Sequence, residues 1–175
     1  MAGQIDIDVW QGEIAELEVD ALVVSANESL FMTAGAAASV KRHGGEQIER
    51  DAVDQGPTEP GTAIVTRAGS LAAAYVIHAI GVGHDRIADR DRLVAAIRTA
   101  LTFSEPLQLR RMAFSLVGVE HGAFSPDEAA AVLIDELARP WSEQEMLESI
   151  VIATTNAVET RAVTGALAAR RAHVT

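Results

Sequence analysis

The sequence predicts an α/β fold in which helices cover a mixed sheet. Three observations carry this. Short β-branched runs alternate with longer amphipathic stretches along the chain. Two of the runs end in loops of small residues that pass directly into a helix start, at 27–38 and 118–124. The helix starts bear capping signatures, the clearest at Ser125-Pro126-Asp127-Glu128, where serine caps, proline suits the first helical position and glutamate follows three after the cap.

Taken in order, Ile5 to Trp10 alternates Ile5, Ile7 and Val9 with Asp6 and Asp8, the pattern of a half-buried strand near a sheet edge. Asp20 to Ala26 reads as a buried strand. A helix is predicted from Ala36 to about Val53, with Val40 and Ile48 on one side, before the turns at Gly56-Pro57 and Pro60-Gly61. Ala63–Thr66 and Tyr75–Ile80 are two strands separated by Gly69-Ser70. Asp89 or Asp91 starts the next helix, whose stripe is Leu93, Ile97, Ala100 and Leu101 and which stops before Pro106. Met112 to Val117 is a buried strand, and the helix capped at Ser125 continues through Val132, Leu133 and Leu137 toward Pro140. Ser149 to Ala153 is the last strand, and Asn156 with Glu159 opens the last helix.

With 175 residues, 49% hydrophobic and 22% charged, the composition is that of a globular protein, read as one domain over 1–175. Aromatics are only 4%, so the core rests on Ala, Val, Ile and Leu. The formal net charge of -11 argues against general nucleic-acid binding and against an anionic membrane, since both partners need a basic surface. Cysteine is absent, which excludes disulfides, zinc–thiolate sites and cysteine nucleophiles. No apolar run reaches about 18 residues and no signal peptide is recognised, so the chain is expected to be soluble and cytoplasmic. The histidines share no metal-ligand spacing, and no cofactor is expected.

Function concentrates in the two loops. Each lies where the carboxyl end of a strand hands over to a helix N-terminus, a place where unpaired N–H groups and the helix dipole favour an anion. Two such loops side by side suit a pyrophosphate. The alternative is that their small residues serve close packing.

The motif Gly12-Glu13-Ile14, then Val19-Asp20-Ala21-Leu22-Val23-Val24-Ser25-Ala26-Asn27, then Thr33-Ala34-Gly35-Ala36-Ala37-Ala38, resembles the macrodomain family of ADP-ribose binders over essentially the whole chain. The resemblance implies a three-layer α/β/α fold with a six-stranded mixed sheet. It also implies ADP-ribose or a related nucleotide, free or attached to an ADP-ribosylated protein, as partner. Glu13, beside Ile14, stands where the family's aspartate accepts a bond from the adenine amino group; the competing reading is an acidic residue in a first turn. Asn27 matches the asparagine that faces the distal ribose, and Ser25 replaces another asparagine of that motif. Gly35 and Ala36 on one side, and Gly118, Val119, Gly122, Ala123 and Phe124 on the other, match the loops that hold the pyrophosphate. Both loops have lost glycines, so methyl groups stand where backbone approaches oxygen.

Two absences bear on activity. Ala37 falls where the hydrolytic macrodomains carry a catalytic aspartate, and alanine can neither move a proton nor orient water. No catalytic residue is therefore assigned. Ala153 falls where many members carry an aromatic that stacks on adenine. His78 matches a structural histidine of the family, and His121 is read as a solvent-facing loop residue, with a general base beside Glu120 as the alternative. The leading reading is a binding module for ADP-ribose. The alternatives are an ADP-ribosyl hydrolase or O-acetyl-ADP-ribose deacetylase, and a macrodomain that has lost its nucleotide and serves assembly.

Overall fold

The computed structural model describes residues 5–140 and 146–173. The single-domain reading over 1–175 therefore extends past the described residues. A six-stranded sheet has the order β1-β6-β5-β2-β4-β3. Its strands are β1 (Asp6–Gln11), β2 (Ala21–Ser25), β3 (Thr62–Arg67), β4 (Tyr75–Ile80), β5 (Arg111–Ser115) and β6 (Ser149–Thr154). All neighbours run parallel except β3, which pairs antiparallel with β4.

The helices are α1 (Gly35–Gly44), α2 (Gln47–Val53), α3 (Arg90–Thr102), α4 (Pro126–Leu137) and α5 (Ala157–Ala172). The sheet separates them into two layers. Along β2, Ala21 and Val23 join a core shared with α3, α4 and α5, while Leu22 and Val24 join a core shared with α1. Successive strand residues point to opposite faces, so a strand covered on both sides is apolar at every position. All five β2 residues are buried. β1 sits at the sheet edge, with Asp6 and Asp8 exposed as its alternation predicts.

The predicted helix over 36–53 is two helices. Gly45 takes φ 108°, where L side chains are disfavoured, and its N–H closes on the Lys41 carbonyl at 2.9 Å. The chain turns there, and Ile48 re-enters the core from α2. The other starts follow their capping residues. Asp89 accepts from the Asp91 and Arg92 N–H groups, Ser125 and Glu128 form a reciprocal box, and Asn156 accepts from Val158 and Glu159. Glu159 caps one residue earlier than its spacing suggests, bonding Thr155 N–H at 2.8 Å. Two short 3-10 turns, Ile14–Glu16 and Glu120–Gly122, carry no sequence signature that announces them.

The topology sets the place for a ligand. α1 follows β2 on one face of the sheet, whereas α4 follows the neighbouring β5 on the other. The loops leaving these two strands diverge, and the sheet opens a crevice at their carboxyl ends.

Candidate functional site at the carboxyl edge of the sheet

A cleft of about 340 Å³ occupies that crevice. Three loops line it: Ser25–Ala37 after β2, Val82–Arg86 after β4, and Glu120 with His121 after β5.

Loop one is held firmly. Glu49 on α2 accepts from the Met32 N–H at 2.6 Å and from Lys41 Nζ at 2.9 Å. Leu30 takes φ 64° with its side chain fully buried beside Ala52 and Ile80. A left-handed leucine costs ~1–2 kcal/mol, which that burial offsets. With the loop so fixed, Asn27 lies on the cleft. Its Nδ2 donates to the Phe31 carbonyl at 3.1 Å. Its Oδ1 is buried and without a partner among the described residues, and beside it lies the buried Ser25 Oγ, whose hydroxyl faces the Glu120 carboxylate. Buried polar atoms are normally satisfied, so the orphaned Asn27 Oδ1 on the cleft marks where a ligand's or water's polar groups belong.

α1 begins at the same place. Unlike α3, α4 and α5, it has no side-chain cap at Ala34, and Ala34 and Ala37 line the cleft. Its first N–H groups are therefore left to solvent or a ligand. Gly35 and Ala36, assigned to phosphate from the sequence, lie in this turn. Ala37 is buried at the cleft wall and presents only a methyl group.

Loop two is arranged differently from expectation. The N–H groups of Gly122, Ala123 and Phe124 close on the carbonyls of Val119, Glu120 and Gly118 at 3.2, 3.2 and 3.1 Å. The Gly118 N–H donates to Glu120 Oε2 at 3.1 Å. Phe124 is buried in the core with α3 and α4. Loop two thus satisfies these N–H groups internally and turns a carboxylate and His121 into the cleft. Burial pushes the Glu120 carboxyl up from its ordinary value; Ser25 and the Gly118 N–H pull it back, and Glu159 pushes it up further.

The third loop was not marked as functional by the sequence. His84 and Arg86 line the cleft. The His84 N–H donates to the Glu28 carboxylate and its Nε2 meets Ser29 Oγ at 3.2 Å, which fastens this loop to loop one. Asp85 is taken by Arg92 at 2.8 Å, which leaves the Arg86 guanidinium on the cleft without an ion pair among the described residues. Phe31, 52% exposed, stands at the lip. Glu120, His84, Arg86 and Phe31 are the residues that sequence reading left without an assigned role. The only advance sign was that 81–89 follows a strand's carboxyl end.

Glu13 and Ile14 lie outside this cleft. Ile14 is buried, while Glu13 is exposed, and its carboxylate accepts from Ser39 Oγ at 2.7 Å and Arg42 Nη2 at 3.2 Å. The Ser39 hydroxyl, with Arg42 and His43, holds the Glu13 carboxyl below the usual range. Ala153, paired in register with Trp10, is buried in the same core cluster, against which Trp10 packs. An aromatic ring is thus supplied by β1 beside the position where β6 has none. His78 is fully buried with Nε2 3.0 Å from Thr66 Oγ1, the structural role expected of it.

A family model described as Macro domain matches residues 23–133. An uncharacterized protein of Aquifex aeolicus is 32% identical over 149 residues, 85% of this chain and 89% of the relative. An uncharacterized protein of Mycobacterium tuberculosis is 30% identical over 148 residues, 83% of this chain and 41% of the relative. The chain thus spans about two fifths of the length of several curated relatives that it matches. Among solved structures, the Trypanosoma brucei macrodomain in complex with ADP-ribose superposes with a TM-score of 0.83 at 21% identity, covering 92% of this chain and 68% of that one.

Proposed function

The chain belongs to the Macro domain family, and from that premise we propose that it is a binding module for ADP-ribose or a related nucleotide, free or protein-linked. The observation that carries this reading is the cleft floor. Asn27 Oδ1 stands there without a partner among the described residues, and Ser25 and the uncapped N-terminus of α1 line the same cleft. A ribose hydroxyl supplies the missing partner, and a phosphate completes the helix end. Similar folds crystallised with ADP or ADP-ribose support the ligand class.

In this reading Gly35 and Ala36 direct N–H groups to the phosphates, and Arg86 adds the charge that loop two does not. Gly118, Val119, Gly122, Ala123 and Phe124 do not line the cleft; they close the turn that sets Glu120 and His121 against it. Glu13 accepts from the adenine amino group with the lone pairs that Ser39 and Arg42 leave open, and Ile14 and Trp10 form the apolar bed for the ring. Ala37 supplies no carboxylate, so the module holds its ligand without hydrolysing it.

Titration calorimetry with ADP-ribose, with AMP as control, tests the reading. Binding of ADP-ribose with AMP much weaker is expected, and ligand at about a hundred times its Kd adds ~2.7 kcal/mol to the unfolding free energy. A melting curve unmoved by millimolar ADP-ribose overturns it. That outcome favours the second reading, a nucleotide-free assembly unit, which draws support from the closed N–H groups of loop two.

A further inference from the structure

We propose that Glu120 is a specificity-determining residue that accepts hydrogen bonds from the diol of a ribose seated in the cleft, beyond the diphosphate, and keeps phosphate away from loop two. This deepens the nucleotide reading and rests on it.

The donor and acceptor inventory of the cleft points this way. Glu120 lines it, with the carboxylate fixed by the Gly118 N–H at 3.1 Å. An ionised carboxylate offers about four acceptor sites; the Gly118 N–H, the residue's own N–H and the Ser25 hydroxyl draw on them without exhausting them. Asn27 adds a buried, unpartnered Oδ1, and its Nδ2 is already given to the Phe31 carbonyl. Ser25, buried at 9% exposure, turns its hydroxyl to the Glu120 carboxylate and keeps its oxygen open to accept. The floor is therefore rich in acceptors. A phosphate brings only acceptors to it, whereas each sugar hydroxyl brings a donor. Two adjacent hydroxyls match the two oxygens of one carboxylate, a pairing that nucleotide-binding folds also use at ribose.

The surrounding charges divide the cleft the same way. From α5, Glu159 adds negative charge near Glu120. His121 flanks it in the same loop. On the third loop stand His84, joined to Glu28 of loop one, and Arg86, which has no ion pair among the described residues. With the uncapped start of α1, the Arg86 side offers the phosphates their place and leaves the Glu120 side to neutral hydroxyls.

The binding form is the carboxylate. Burial raises its titration range, so affinity for a diol falls as pH is lowered through that range, and binding releases a proton there. Protonation of His84 or His121 acts on any anionic ligand, so the ratio of ADP-ribose to ADP affinity isolates Glu120.

The test is calorimetry with ADP-ribose and ADP on the full chain and on Glu120→Gln. We expect the variant to lose about tenfold or more for ADP-ribose while ADP binds equally or more tightly. In the unaltered chain, the ADP-ribose to ADP affinity ratio should fall toward acid pH. Equal or tighter ADP-ribose binding by a folded Glu120→Gln, an equal loss for both ligands, or a ratio flat with pH overturns the assignment and leaves the nucleotide reading standing. If the unaltered chain binds neither ligand, the nucleotide reading falls and this assignment with it. The pH series needs no variant, so it decides the matter even if Glu120→Gln does not fold.

Discussion

The Ser39 hydroxyl donates to the Glu13 carboxylate at 2.7 Å, which fastens α1 to the turn before β2. Glu13 is the residue that the family motif assigns to adenine, and its carboxylate is positioned from below by Ser39 and Arg42. Ser39→Ala removes the largest influence that lowers the Glu13 titration. The Glu13 pKa should rise toward its ordinary value, read by NMR of the side-chain carboxyl carbon. ADP-ribose binding should weaken modestly, because a glutamate without its support spends entropy to reach the ring. An unshifted titration would show that Arg42 alone orders the carboxylate.

His78 makes stability depend on pH. Burial pushes its pKa down to about 4, below the ordinary 6.5. Between those values the unfolded chain binds a proton that the folded one refuses, so stability rises with pH there. Its contribution is complete above pH 6.5 and is lost as pH falls toward 4, roughly 3 kcal/mol across the window. Urea unfolding at a series of pH values checks this. In His78→Gln, which keeps a partner for Thr66, that part of the slope should vanish; an identical slope in both proteins would contradict it.

The order of elements was legible because period and capping agree at α3, α4 and α5, where Asp89, Ser125 and Asn156 announce each start. The division of α1 from α2 was not, since Gly44-Gly45 breaks a helix only when a positive φ is used, and tertiary packing decides that. The place of Asn27 on the cleft was legible from its register after β2. Glu120 was not, because a glutamate in a loop reads as solvated until the fold buries it against Ser25 and Gly118. Arg86 was hidden for a related reason. Whether an arginine is paired depends on neighbours such as Arg92, which takes Asp85 from across a helix start.

Trp10 and Gly12 are bound to one another sterically. A Cβ at Gly12 would run into the indole ring. Gly12→Ala should therefore displace Trp10 from its bed beside Ala153 and destabilise the fold by about 1–3 kcal/mol. Fluorescence in a Trp141→Phe background isolates Trp10, and a red shift on Gly12→Ala is the expected sign. If Trp10 supports adenine, ADP-ribose affinity should drop with it.

Catalysis should be negligible. Ala37 brings a methyl group to the cleft wall, and the carboxylate that does face the cleft, Glu120, is tied to the Gly118 N–H. Incubation with mono-ADP-ribosylated protein should release no ADP-ribose above the uncatalysed rate. Turnover at the level of an active family hydrolase, abolished by Asn27→Ala, would reverse this conclusion.

Arg86 should act on phosphate and not on sugar. Its guanidinium is a cation with no ion pair among the described residues, on the cleft of a chain whose net charge is -11. A solvent-facing charge contact is worth only a fraction of a kcal/mol to about 1 kcal/mol, so Arg86→Ala should weaken ADP and ADP-ribose alike by about threefold to fivefold. The loss should be larger at low ionic strength, where screening is weakest. Glu120→Gln should show the opposite signature, a loss confined to ADP-ribose. The two variants together divide the cleft into an anionic half and a hydroxyl half. If Arg86→Ala instead weakens only ADP-ribose, and does so independently of salt, Arg86 contacts the sugar and the phosphates rest on the α1 N-terminus alone.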